Sequence, residues 1–130
     1  MRDSVRLAVT REAFPDGRPL PGFTYLALVS GDREVASTLM QSSGPLAYVL
    51  CFEVVYGFRR QGLGRRLAQE AERFAREEFG CREHAIGFPL TADARSFWTA
   101  LGYGDAGPDD LRVTGPGGPP QRVWLLKAAD

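Results

Sequence analysis

Cysteine, histidine and lysine are scarce in this chain of 130 residues. It has two cysteines, Cys51 and Cys81, one histidine, His84, and one lysine, Lys127. The cysteines show no CxxC spacing, and one histidine cannot complete a Cys/His ligand set. No metal site and no disulfide framework are therefore expected, and reduced thiols of a cytoplasmic protein are the default. Cys51, inside an apolar run, reads as a small buried hydrophobe. Long hydrophobic runs are also missing. Nothing approaches the ~18 apolar residues of a membrane span, and "MRDSVRLAVTR" has no apolar stretch of the length a leader needs. Charge of one sign is not in excess, since 16 basic residues balance 16 acidic ones. That balance argues against a nucleic-acid or membrane-surface binder, which needs a positive excess. All the other basic residues are arginine, a usage bias rather than a chemical requirement.

What is present suffices for one globular domain over residues 1–130. The apolar share is 44%, and a chain of this length buries about two thirds of its unfolded surface. "SVRLAVTR" (4–11) alternates as a strand does. "EAFPDGRPLPG" (12–22) reads as a loop too broken to hide a helix. "FTYLALVS" (23–30) and "EVASTLMQS" (34–42) are strands around a short "GDR" turn. "LAYVLCFEVV" (46–55) is apolar almost throughout, as a strand covered on both faces would be. Leu63, Leu67, Ala71, Phe74 and Ala75 fall at helical spacing, and Gly80 ends that helix. A short strand (82–88) follows. Then comes a helix through "ARSFWTAL", capped by Thr91 or Asp93 and stopped by Gly102. A weak strand near 111–114 and a closing strand over 122–128 complete the order.

The stretch "GFRRQGLGRR" (57–66) stands where the apolar strand hands over to the first helix. A helix N-terminus already carries about half a positive charge and four free N–H groups. Arg59, Arg60, Arg65 and Arg66 add to that charge, while Glu77 and Glu78 crowd the negative end. An anion resolves the conflict at the N-terminus, because Gly62 and Gly64 allow a phosphate to approach the backbone. A solvated basic turn is the simpler alternative. The spacing fits neither the Walker pattern nor the dinucleotide GxGxxG pattern, whose last glycine position holds Leu67.

The pattern R-x-x-G-x-G does fit, as Arg59-Arg60-Gln61-Gly62-Leu63-Gly64 after Val54-Val55. It resembles the pyrophosphate motif of the GNAT superfamily of N-acetyltransferases. Downstream, "TADARSFWTALGY" (91–103) resembles that family's A-x-x-F-Y-x-x-x-G-F helix through Ala94, Phe97, Trp98, Gly102 and Tyr103. The resemblance covers residues 23–127. It implies an α/β (α+β) fold with a mixed, mostly antiparallel sheet and helices on both faces. It also implies that the strand before the glycine turn splays from its neighbour to admit acetyl-CoA, with no metal. Carried over, Phe52, Glu53 and Val54 line the pantetheine and acetyl group. Arg59, Arg60, Gln61, Gly62, Leu63, Gly64 and Arg65 hold the pyrophosphate. The implied activity is acetyl transfer by direct attack of an amine, on a small molecule or a peptide.

Two departures from the family pattern bear on the acceptor side. The two helices usual between the first and second strands have no counterpart in 12–22, which implies an acceptor side that is unusually open, or completed by an ordered loop or by the partner subunit of a homodimer. Trp98 stands where many members carry a tyrosine that protonates the leaving thiolate. Tyr103 and Tyr56 are substitute acids, and water is a third. Glu53, in an apolar strand, is the candidate base, because desolvation raises a carboxylate toward neutrality. Tyr48 is a second candidate for contact with acceptor water. His84 reads as a structural strand histidine. The alternative reading is a non-catalytic acyl-CoA-binding or interaction module that kept the cofactor turn.

Overall fold

In the computed structural model, which describes residues 4–58, 62–87, 91–105, 112–113, 121–122 and 125–128, the chain opens as an antiparallel meander. Strands β1 (Val5–Ala13), β2 (Pro19–Ser30), β3 (Arg33–Ser43) and β4 (Leu46–Val54) pair in succession, each with the next. The loop expected over 12–22 shrinks to the turn 14–18, and no helix enters it. Asp16 closes this turn by accepting from the Arg18 backbone N–H at 3.0 Å and from its Nε at 2.8 Å. The prolines do not end β2 because its first residues pair only with β1. Strand β3 joins at Thr24↔Met40, so Pro19 and Pro21 leave no rung of β3 unfilled.

After β4, a 3₁₀ turn (Tyr56–Phe58) precedes helix α1 (Leu63–Phe79), which returns the chain to β5 (Glu83–Ile86), parallel to β4. Helix α2 (Ala92–Ala100) follows, then β6 (Gly104–Asp105), β7 (Arg112–Val113), β8 (Gln121–Arg122) and β9 (Leu125–Ala128). The main sheet has seven strands in the order β1-β2-β3-β4-β5-β9-β6, and β7 and β8 form a separate ribbon. Only β4 and β5 run parallel, so the mixed, mostly antiparallel sheet is as expected. Strands β6 and β8 are too short to be read from pattern alone.

Helix α1 forms because Leu63, Leu67, Ala71, Phe74 and Ala75 line one stripe, and all are buried. Gly80, at φ 63°, ends it by donating to the Arg76 carbonyl at 3.1 Å. Arg11 of β1 reaches Glu78 at 3.0 Å, so the carboxylate that opposes the helix dipole has a partner from the sheet. In α2, Thr91 Oγ1 accepts from the Ala94 N–H at 3.1 Å, so the cap is Thr91.

Both helices pack on the same face. Leu67, Ala71 and Ala75 of α1 meet Leu26, Leu28, Met40 and Ala47, whereas Trp98 of α2 meets Val49, Ile86 and Leu125. Ala47 and Val49 are two apart on β4 and so share a face. This corrects the expectation of helices on both faces. Among the described residues the second face carries none, because the connection between β1 and β2 is a turn. Tyr48 and Ala85 pack there with Leu46, Leu50 and Leu126.

One ion pair lies inside the helix-covered layer. Lys127 Nζ donates to Glu72 Oε1 at 3.1 Å, and the Tyr103 hydroxyl donates to Oε2 at 2.8 Å. The two charged side chains are only 23% and 11% exposed. Removing one partner of such a pair leaves an uncompensated charge, which costs about 3–5 kcal/mol. Lys127→Met is therefore expected to lower stability by about 3 kcal/mol in urea unfolding. Adding Glu72→Gln should recover part of that loss.

Candidate functional site

Strand β5 accompanies β4 only from Leu46↔Glu83 to Val49↔Ile86. The last rung is the Gly87 N–H to the Val49 carbonyl, at 2.8 Å. Among the described residues β4 continues beyond it on the β3 side alone, and the Val55 N–H still reaches the Val35 carbonyl at 2.9 Å. The two parallel strands thus form a fork. Its wedge is Tyr48, which is fully buried and donates to the Gly87 carbonyl at 3.4 Å. A Cβ on Gly87 would lie 2.1 Å from Tyr48 Cζ, so only glycine fits at the branch.

A β-bulge lies at the same level. Leu39 pairs with Cys51 and Met40 with Val49, so Leu50 is the extra residue. The bulge puts Val49 and Phe52 on the same side despite their odd spacing, and both pack with Trp98. Cys51 and Glu53 then face the other way, and both are exposed. Two expectations are corrected here. Cys51 is not a buried hydrophobe, and Glu53 is not in apolar surroundings, because both side chains are exposed and no described residue pairs with β4 on the β5 side past the fork.

On the helix side, the fork opens into a cleft of about 600 Å³ lined by Phe52 and Val54 of β4, Gly64 of α1, and Thr91, Asp93, Ala94, Phe97 and Trp98. The N-termini of both helices contribute to its wall. That of α2 is closed by the Thr91 cap and has Asp93 in its first turn. That of α1 has no side-chain cap and no acidic residue in its first turn. Its first helical bond is Arg66 N–H to the Gly62 carbonyl at 3.1 Å, which leaves the N–H groups of Gly62 to Arg65 free of helical partners. Of the two ends, that of α1 has neither a capping side chain nor an acidic residue in its first turn, so it suits an anion better.

The residues expected from the sequence divide as follows. Phe52, Val54 and Gly64 line the cleft. Gly62 sits at the N-cap with φ 75°. The Leu63 side chain belongs to the core, so only its backbone faces the turn. Arg65 is exposed, and Arg66 is tied to the Val5 carbonyl at 2.6 Å. Arg59, Arg60 and Gln61 lie outside the described residues, as does the side chain of Tyr56. Tyr48 and Tyr103 do not line the cleft. Tyr103 is 3% exposed, with its hydroxyl on Glu72. Burial first, and then the Glu72 charge and hydrogen bond, push that hydroxyl well above the ordinary tyrosine range. Neither tyrosine is placed as the acid or acceptor contact expected of it. His84 is buried in β5, as expected.

Sequence reasoning missed the contribution of Thr91 and Asp93 to the cleft, and a polar group on the second face. There the Tyr25 hydroxyl donates to Glu34. Burial, followed by that hydrogen bond, raises it to about 12, and Glu53 adds its field. The cross-strand pair Ser37↔Glu53 is the register that brings β2, β3 and β4 together here.

Comparison with known proteins agrees with this geometry. The sequence matches the acetyltransferase (GNAT) family over residues 11–103. No curated protein sequence matches it. Among solved structures, it resembles a Klebsiella pneumoniae protein assigned as an acyl-CoA N-acyltransferase, with TM-score 0.75 and 15% identity over 97% of this chain and 98% of the other. It also resembles the ribosomal-protein-S18-alanine N-acetyltransferase of Escherichia coli, with TM-score 0.66 and 14% identity over 96% and 95%. A third is the PaiA N-acetyltransferase of Thermoplasma acidophilum in complex with coenzyme A, with TM-score 0.65 and 14% identity over 82% and 61%. At these identities the likeness is one of fold.

Proposed function

Because the chain belongs to the acetyltransferase (GNAT) family, we propose that it moves an acetyl group from acetyl-CoA to an amine by direct attack. The observation that carries this reading is the cleft running from the uncapped N-terminus of α1 to the β4/β5 fork. In it, the N–H groups of Gly62 to Arg65 bind the diphosphate. Past Val49, where no described residue pairs with β4 on the β5 side, the β4 edge offers backbone groups to the pantetheine amides, and Phe52 and Trp98 pack the thioester end. The amine approaches from the face of Cys51 and Glu53. Its nitrogen bonds to the acetyl carbon, the C–S bond breaks, and the thiolate leaves. A thiol of pKa ~8.5 is a tolerable leaving group and takes its proton from water.

The exposed Glu53 accepts the proton that the amine loses, directly or through water. An exposed carboxylate not held against the reacting atoms supplies modest help, and that favours an acceptor needing little. An α-amine near ~7.8 is substantially neutral at pH 7.4, whereas a lysine-like amine near ~10.4 is neutral in only about one molecule in a thousand. The related fold that acts on the alanine of ribosomal protein S18 is consistent with an α-amine acceptor.

The test is a screen of α-amino and side-chain amines with thiol detection, run across pH. We expect acetyl-CoA to be consumed only with amine present, and the rate at limiting amine to rise about tenfold per pH unit below the amine's pKa. Stabilisation by acetyl-CoA with no turnover on any amine would support the non-catalytic module instead, a reading favoured by the position of Tyr48 and Tyr103 away from the cleft.

A further inference from the structure

The cofactor cleft shares two of its walls, Phe52 and Trp98, with a second space. Behind these rings lies a void of about 10 Å³, bordered by Met40, Val49, Ala71 and Glu72 among others. That volume is about one water probe, too little for any carbon chain. The rings hold one another in place. Phe52 meets Trp98 edge-on at 4.8 Å and Phe97 at 5.8 Å, and Trp98 meets Phe97 at 4.9 Å and Tyr103 at 5.1 Å. Trp98 is 2% exposed, so it cannot swing aside without opening the core.

We propose that Phe52 and Trp98 form a barrier that restricts the acyl group of the donor to acetyl, a proposal that rests on the acetyl-transfer reading above. With the diphosphate at Gly62 to Arg65, the thioester falls at the opposite, Phe52–Trp98 end of the cleft. An acyl chain longer than acetyl then meets the two rings. Removing the Phe52 ring would join its own volume to the small void behind it, whose border includes the short side chains of Ala47, Ala68 and Ala71. That space has a definite end. Glu72 borders it, with its carboxylate fixed by Tyr103 and Lys127, and an alkyl chain gains nothing by reaching a charge. Opening the barrier should therefore admit a few more carbons and no more.

The test compares binding of coenzyme A, acetyl-CoA, butyryl-CoA and octanoyl-CoA by calorimetry, each taken relative to coenzyme A itself. Wild type is expected to bind acetyl-CoA about as well as coenzyme A and butyryl-CoA at least ~10-fold more weakly, as a close-fitting apolar pocket does for added methylenes. In Phe52→Ala, which removes the ring, the butyryl penalty should vanish while the octanoyl penalty stays. Phe52→Leu should fall between, and it carries the test if the alanine variant fails to unfold cooperatively. Wild type that binds butyryl-CoA as tightly as acetyl-CoA would overturn the barrier while leaving the acetyl-transfer reading intact. An unchanged ratio in both variants would do the same. Wild type that binds no form of coenzyme A would overturn both readings.

Discussion

Acetyl-CoA at about 100 times its dissociation constant is expected to stabilise the wild-type chain by about 2.7 kcal/mol, and two glycine variants should lose that shift for different reasons. Gly62 is at φ 75°, and no atom of the described residues lies within 4 Å of the place a Cβ would take. Gly62→Asp therefore meets no clash, and its intrinsic cost is the ~1–2 kcal/mol of a left-handed non-glycine residue. Its carboxylate would occupy the open donors of α1 in place of the diphosphate. Gly64 is helical, so a side chain there adds no backbone strain, and what it meets is the packing of the cleft wall. Its Cβ would stand 3.3 Å from Phe97 Cε1 and 3.5 Å from Val54 Cγ2, inside the cleft. Gly64→Val should fold with a modest loss of stability, since Phe97 must give by a few tenths of an ångström, and bind acetyl-CoA at least ~100-fold more weakly through lost space. Thermal unfolding with and without acetyl-CoA reads both effects. A wild-type shift in Gly64→Val would mean that the cofactor does not use this cleft.

The second large effect concerns stability at the fork. In Gly87→Ala the new methyl carbon would sit 2.1 Å from Tyr48 Cζ and 2.3 Å from its hydroxyl oxygen. Tyr48 is fully buried and pairs with Ala85 across the fork, so the ring has nowhere to go and the strands must part. The expected loss is about 3 kcal/mol or more, at the upper end for overpacking. Set against a total of roughly 5–15 kcal/mol, it removes a large fraction of the stability. The cause can be isolated. Tyr48→Phe keeps Cζ and should not relieve Gly87→Ala, whereas Tyr48→Leu shortens the side chain and should recover part of the loss. Measured urea midpoints decide the point. Equal stability of Gly87→Ala and wild type would show that the fork tolerates a side chain at its branch. Tyr48→Phe alone should keep amine turnover, which separates a wedge from an acid.

Helix α1 is legible in the sequence from end to end, because an apolar stripe, a glycine start and a left-handed Gly80 agree. The glycine turn is legible because four arginines and two glycines contradict the helix dipole unless an anion intervenes. Strand β4 misleads in its second half. An apolar run suggests cover on both faces, but the cover depends on where β5 stops, which is a tertiary fact. Local pattern therefore places Cys51 and Glu53 in apolar surroundings that they do not have. The Leu39–Met40 irregularity, which sets the side each residue faces, leaves no mark in composition. Tyr103 looks available because its motif position is near the cleft. Its partner Glu72 lies 31 positions away in sequence, beyond the reach of any local pattern. Prolines 19 and 21 suggest a loop, but half-paired strand tolerates them.

The solitary lysine has a consequence for a protein that handles an activated acyl group. Thioesters acetylate exposed lysines slowly and without any catalyst, so proteins that concentrate acetyl-CoA risk modifying themselves. Here the surface cations are arginines, whose guanidinium groups are poor nucleophiles at neutral pH. The one ε-amine is committed to Glu72 and packed 5.6 Å from the Tyr103 ring. The chain thus presents almost no side-chain amine that could compete with its acceptor. The same scarcity makes it a clean reporter in the laboratory. Amine-directed labels have a single side-chain target, and labelling at Lys127 would register the opening of the layer between α1 and the sheet.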